Sequence, residues 1–350
     1  MVWEKLYLYE SQDLIARLFQ EKHARGLSSK KAKEIISHFV QGREYFKSAK
    51  QSAEVVRPLL LYYGVLSLSR GLILFLDAKS SESSLKSGHG IGVHQWNETL
   101  AKGLDQLTNV MVKFNKGTFS ELLTVTRNSE RWRVNTAPFP SSFLGETNLE
   151  LDLKEGFSIT LDDILSRIPE LSESYTDVFN KLPNCYEANI FILDENTHTD
   201  ISLVETTKGM PDEAEIRKMF NISRDVTFTY RNQSHFLPNL SHMEFRINHQ
   251  NKFELENKLP HIKNIVNNHN CYIIAPLEDG IRFSSLMTLF ILSYFTGMLV
   301  RYYPSQWQSL INRSKGDIAF PILIKAINLL EEKFPSLIID ELTYGESYYK

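Results

Sequence analysis

Two stretches of the chain are apolar almost without interruption. Ser284–Val300 is a run of seventeen uncharged, mostly apolar residues, closed by Arg301, Pro304 and Trp307. Its upstream counterpart, Pro58–Leu76, is broken only by Arg70. A membrane-spanning helix needs roughly 20 apolar residues. The later run falls short of that and contains Ser284, Ser285, Thr288, Ser293, Thr296 and Gly297. Helices that are apolar on every face also occupy the cores of large globular domains. Both stretches are therefore expected to be buried helices packed on each other, with no membrane contact.

Elsewhere the periodicity shifts along the chain. Glu10–Gln20 and Lys30–Lys50 repeat apolar residues at helical spacing, the second through Ala32, Ile35, Ile36, Phe39, Val40, Tyr45 and Phe46. Arg57-Pro58 opens the next helix, because proline is tolerated in a first turn whose donors lack partners anyway. A Ser-rich connection, Lys79–His89, and a permissive loop at Gly88–Gly92 lead to a helix predicted over Trp96–Phe114. From Gly117 to Gly156 the pattern predicts loops and short strands, Leu149–Leu153 among them. Ser158–Leu165 reads as a strand running into a capped helix, with Thr160 at the N-cap and Asp163 at N3. A second short helix follows to about Leu182.

Beyond it, Ala188–Leu193, Asp200–Glu205, Asp225–Tyr230, His242–Ile247 and Cys271–Ile274 are rich in Ile, Val, Phe and Thr and predict strands. Pro211–Phe220 and Pro260–Asn268 predict short helices, and Phe320–Leu342 a long amphipathic one. The pattern as a whole predicts an α+β fold: a mainly α-helical core with an inserted β-rich module. Residues 1–116 supply the N-terminal helical part of the core and 117–184 an irregular connection with short helices. Residues 185–276 form the inserted module and 277–350 the helices that complete the core.

Composition narrows the function without naming it. A formal net charge of −3 argues against a dominant electrostatic grip on nucleic acid or anionic lipid. Cys185 and Cys271 are far apart and fit neither a disulfide framework nor a zinc site; both are expected as half-buried thiols in or beside strands. Met1–Lys22 has no apolar signal core, so the expected compartment is cytoplasmic. Phosphate-binding Gly-x4-Gly-Lys loops, dinucleotide fingerprints and Gly-x-Ser-x-Gly elbows are missing from the sequence. No metal site or cofactor is expected.

The candidate chemistry rests on a few cations and histidines. Arg70 sits inside an apolar helix and Arg301 ends another. A buried guanidinium costs several kcal/mol unless it is paired and hydrogen-bonded. One reading gives each arginine a structural bridge to Asp77, Glu54 or a carbonyl. The other brings Arg70, Arg301, His89 and Gly90 together on a phosphate-like anion. His89 and His94 flank two glycines, and a loop histidine there could act as acid or base or simply make polar contacts. Arg127, Arg131, Trp132 and Arg133 form a basic–aromatic cluster suited to base stacking and phosphate contact, or to a solvated loop pinned by one tryptophan. Glu254–Lys258 contains a Glu-x-Lys fragment of a metal-dependent nuclease signature.

Several ordered groups resemble the YaaC family of bacterial proteins. They are Trp3, Arg57–Gly64 running into Leu68-Ser69-Arg70, His89-Gly90, Gly117-Thr118-Phe119 and Ile159–Asp163 followed by Ile168–Leu171. Val300–Trp307 and Phe334–Ile338 complete them, so the pieces span most of the chain. The Tyr62-Tyr63, Arg70 and His89-Gly90 section is also similar to HEPN-type helical domains. Some of those are ribonucleases with an Arg-x4-6-His motif, and many are scaffolds or dimerisation modules. The spacing occurs here as Arg17-x5-His23. The resemblance thus implies a HEPN-like helical core in a binding or scaffold module. Its expected partners are a second copy of itself, a protein, or a nucleotide or nucleic acid. The rival expectation is an RNA- or nucleotide-directed hydrolase in stress or antiphage defence, built on Arg70, His89 and Arg301 or on Arg17 and His23.

Overall fold

The computed structural model describes residues 2–136, 141–149, 151, 153–192, 198–204, 212–220, 228–231, 242–248, 261–264 and 271–343. By its internal contacts the chain divides into two compact units. Met1–Asn128, Asp152–Ile164 and Ser285–Lys350 make a helical unit, and Ser129–Leu151 with Leu165–Ser284 make a sheet unit. The fold is α+β and mainly helical.

The chain opens with α1 (Val2–Leu6), α2 (Gln12–His23), α3 (Ser29–Gln51) and α4 (Arg57–Leu76). Strand β1 (His89–His94), α5 (Trp96–Leu100), β2 (Met111–Gly117) and α6 (Thr118–Val125) follow. Next come β3 (Ser129–Thr136), β4 (Ser141–Asn148), β5 (Ser158–Thr160), α7 (Leu161–Leu165) and α8 (Ser172–Phe179). The elements β6 (Cys185–Ile192), β7 (His198–Val204), α9 (Glu213–Phe220), β8 (Phe228–Arg231), β9 (His242–Asn248), β10 (Ile262–Asn264) and β11 (Cys271–Ile274) belong to the sheet unit. The chain then returns to the helical unit through α10 (Ser285–Tyr302), α11 (Pro304–Ile311) and α12 (Phe320–Thr343).

The helical core forms because α4 and α10 bury apolar residues on all sides. Leu61, Tyr62, Val65, Leu68 and Leu72 of α4 are fully buried, and α10 is buried without a break from Leu286 to Val300. Both helices are long and apolar enough to cross a membrane, yet 72% and 83% of their apolar windows are buried inside the fold. Each buried Leu, Ile or Phe contributes about 1.5–3 kcal/mol. Polar residues fit within α10 because their hydroxyls bond back to the helix. Ser293 donates to the Phe290 carbonyl at 2.6 Å and Thr296 to that of Leu292 at 3.1 Å. The α4 and α10 backbones approach closely at Gly297, where an added methyl would sit 2.6 Å from the Tyr62 Cβ.

Local signals fix other starts and stops. Ser28 caps α3, its hydroxyl accepting the Lys31 N–H at 3.2 Å. Thr160 and Asp163 form the expected reciprocal cap: the Thr160 hydroxyl accepts the Asp163 N–H at 3.1 Å, and the Asp163 carboxylate accepts the Thr160 N–H at 3.0 Å. Trp307 is buried and its indole donates to the Glu54 carbonyl at 3.1 Å.

Four local expectations need correction. The helix predicted over Trp96–Phe114 breaks after α5 and gives way to a 3-10 turn, Leu104–Asn109, and then to β2. Gly103, at φ 132°, interrupts the helix, and β2 pairs antiparallel with β1. The loop predicted at Gly88–Gly92 is instead mostly strand, with an irregularity between His89 and Ile91. The stretch 117–156 contains α6 and the β3–β4 hairpin; β4 ends at Asn148, before the strand predicted at Leu149–Leu153. Within Pro260–Asn268, residues 262–264 form strand β10 rather than helix.

In the helical unit, β1, β2 and β5 make an antiparallel sheet in that order. In the sheet unit, the described strands run β10-β11-β6-β7-β9-β8, and β3 pairs with β4 and, in parallel, with the end of β6. Five strands predicted from β-branched and aromatic content fall on β6, β7, β8, β9 and β11. Cys185 and Cys271 are fully buried rather than half-buried, and burial pushes the Cys185 thiol up to about 12.

The sheet unit also buries a polar group, His261, only 1% exposed. Its Nε2 is 3.8 Å from Glu130 Oε2, too long for a hydrogen bond, and its Nδ1 has no partner. Burial lowers its pKa from 6.5 to about 4, against the pull of Glu130 and aided by Lys263 and Arg282.

Two predictions follow from this packing. Gly297→Val should destabilise the helical unit by about 1–3 kcal/mol in chemical denaturation, because Tyr62 has no room to give. Between pH 6.5 and about 4 the unfolded state binds a proton at His261 that the folded state does not. Stability should therefore fall as pH drops through that window, by up to about 3 kcal/mol from this residue, and His261→Gln should flatten the slope relative to wild type.

A candidate anion site on the helical unit

The α4–α10 contact also positions a set of candidate side chains. Tyr62 lies on the inner face of α4, 0% exposed, and its ring meets Tyr294 of α10 edge-on at 5.6 Å. The His89 ring at the start of β1 stands 5.5 Å from Tyr62 and 6.0 Å from Tyr294. His89 is held there by a tight backbone junction. Gly90 has φ 82°, and a side chain at Gly117 would collide with the Gly90 backbone. Thr118, the first residue of α6, donates from both N–H (2.9 Å) and hydroxyl (3.3 Å) to the Gly88 carbonyl.

Arg70 reaches the same place from two turns further along α4, and its Nε donates to the Thr118 hydroxyl at 3.4 Å. Arg301, at the exposed end of α10, lies over the Tyr302 ring at 5.0 Å. Neither forms an ion pair among the described residues. Asp77, considered above as an offsetting partner, instead accepts the Lys79 N–H through its carboxylate and Lys31 through its carbonyl.

The electrostatics bring these groups into one field. His89 is held below its usual range by burial first, then by the positive charges of Arg301 and Arg70. Burial drives the Tyr62 phenol far up, with Tyr294 and Tyr63 adding and Arg301 and Arg70 opposing. Tyr294 rises to about 12, again mainly by burial. The Tyr62 hydroxyl and His89 Nδ1 are both buried and lack a hydrogen-bond partner. An unsatisfied buried polar atom costs about 1–3 kcal/mol. Two orphan polar atoms thus lie within the electrostatic reach of two cations that lack carboxylates among the described residues.

Tyr62 and Tyr294 were not singled out as site residues from the sequence, since they sit within apolar runs that read as core. The available signal was a polar tip on a residue buried in a helix.

The other candidates fall elsewhere. Arg17 pairs with Glu21 at 3.7 Å on exposed α2. His23 turns inward, its Nε2 2.8 Å from the Phe75 carbonyl and its ring 4.3 Å from that of Phe19. Trp132 of β3 is buried against Gly145, and its indole donates to the Thr147 hydroxyl at 2.8 Å. Arg131 and Arg133 flank it in the sheet unit, whereas Arg127 lies in the turn after α6, in the helical unit, at φ 54°. Glu254–Lys258 lies outside the described residues.

A family model described as YaaC-like Protein matches residues 7–342. Neither a curated protein nor a solved structure matches the chain.

The charge arrangement predicts how His89 titrates. Its imidazole should protonate below the ordinary 6.5, and Arg301→Gln and Arg70→Gln should each move it upward, as read by NMR titration of the ring proton. A His89 pKa unchanged in both variants would show that the guanidiniums do not act on it.

Proposed function

The chain belongs to the YaaC-like family, and on that premise we propose that it is a binding module whose helical unit takes a phosphate-class anion at Arg70, His89, Gly90 and Arg301. The observation that carries this reading is the pair of unpartnered buried atoms, Tyr62 hydroxyl and His89 Nδ1, in the field of two arginines that lack carboxylates. An anion would supply acceptors for the phenol and the guanidiniums, and charge-assisted hydrogen bonds of that kind are about twice as strong as neutral ones.

A HEPN-like core is part of the proposal. It is supported by the packing of α3, α10 and α12 on α4, the Tyr62-Tyr63 and Arg70 helix, with α10 also against α12. Cytoplasmic residence, a homo-oligomeric state and a protein or nucleotide partner complete the reading on the grounds of composition and family. A second reading draws on the depressed His89: a neutral imidazole at physiological pH can take a proton, and two guanidiniums can stabilise charge on a phosphoryl group. In that case the bound anion would be the scissile phosphate of a hydrolysed nucleotide or RNA, with a stress or antiphage role following from the hydrolysis.

Calorimetric titration with inorganic phosphate and with a nucleoside monophosphate tests the binding site. Wild type should bind, and Arg70→Ala and Arg301→Ala should each weaken binding at least tenfold. Tyr62→Phe should weaken it less while leaving the fold intact. Equal affinity in wild type and both arginine variants would refute the site. Release of phosphate by wild type, lost in His89→Ala with binding retained, would select the hydrolase.

A further inference from the structure

A cavity lies in the helical unit, on the side formed by α1, α3 and α12. Its volume is about 600 Å³, within the range of small-molecule sites. Trp3 and Phe46, whose rings stand 5.5 Å apart, and half-exposed Tyr7 give it planar apolar walls.

Two arginines on its rim are already committed. Arg43 grips both carboxylate oxygens of Glu10, at 2.8 and 3.1 Å, and covers the Tyr7 ring at 5.0 Å. Arg57 makes two bonds to one oxygen of Glu331, at 2.9 and 2.6 Å. Arg43 also meets the Glu44 carboxylate, so the charges of Arg43 and Arg57 are fully matched by carboxylates, and these pairs hold the walls in place. Lys47 and Lys50 also line the cavity, three residues apart on one face of α3, and neither has a carboxylate partner among the described residues. Against them stands one carboxylate without an ion pair there, Glu332. Lys47 and Lys50 are therefore the lining cations left without a carboxylate among the described residues, beside aromatic walls.

We propose that this cavity is a second ligand site, distinct from the anion site at Arg70, and that it takes a small planar aromatic molecule bearing one anionic group. The ring would lie against Trp3 and Tyr7, which gain from stacking and edge contacts. The carboxylate or phosphate would face Lys47 and Lys50 on the exposed side of the cavity, where added salt screens the attraction.

The test uses the full chain and three probes with the same ring: 2-naphthoate, 2-naphthyl phosphate and neutral 2-naphthalenemethanol. Binding is followed by ligand-observed NMR and by quenching of Trp3 fluorescence; Trp96, Trp132 and Trp307 are buried and serve as the unresponsive background. Either anion should bind at least tenfold more tightly than the alcohol, and the tighter of the two identifies the charged group. Lys47→Glu with Lys50→Glu should abolish the preference, and Trp3→Phe should remove the quenching while NMR binding persists. Both lysines are exposed, so circular dichroism should show the double variant folded. Equal affinity for alcohol and anions, or anion binding unchanged by the lysine substitutions, overturns the proposal. Arg70→Ala should leave this binding unaltered, which keeps the two sites separable.

Discussion

The helical unit depends on the close contact of α4 and α10 where Gly297 receives Tyr62. Two helices apolar on all sides can only be satisfied by burying each other, and burial of that extent is the dominant favourable term in folding. Glycine at the crossing lets the backbones approach until the tyrosine Cβ and ring fill the space a side chain would need. The same contact sets the candidate site, because Tyr62 and Arg70 come from α4 and Tyr294 and Arg301 from α10. Packing and chemistry are therefore two consequences of one interface.

That interface also accounts for the electrostatic character of the site. A phenol and an imidazole carried into a packed core lose water, and each shifts toward its neutral form. The guanidiniums stay nearer the surface and act on them from there. The result is a neutral His89 beside uncompensated positive charge, an arrangement suited to receiving an anion. The cavity beside α1, α3 and α12 differs: Arg43 and Arg57 are held by carboxylates, whereas Lys47 and Lys50 have none among the described residues.

The sheet unit follows a different logic. Its strands were legible from β-branched and aromatic content because such side chains suit a pleated, half-buried surface. The pattern over Gly117–Gly156 predicts short strands without their partners, and there β3 pairs with β4 and with the end of β6. Pairing between strands distant in sequence leaves little mark on either strand alone. Its buried His261 and Glu130 are likewise more than a hundred residues apart in the chain.

By itself the sequence determined the helices α2, α3, α4, α10 and α12, the Thr160–Asp163 cap and the burial of Ser284–Val300, because each rests on local propensity or on a periodicity confined to one element. It also named Arg70, His89 and Arg301, since a cation within an apolar run and a histidine between glycines stand out against their surroundings. Only the tertiary structure decided that Trp96–Phe114 breaks into a turn and a strand, because the pairing of β2 with β1 outweighs helical spacing. It alone decided that Tyr62 and Tyr294 belong with those charges. Their sequence context is that of core residues, and the Tyr62 hydroxyl stands out only because the surrounding fold removes water without replacing its hydrogen bond.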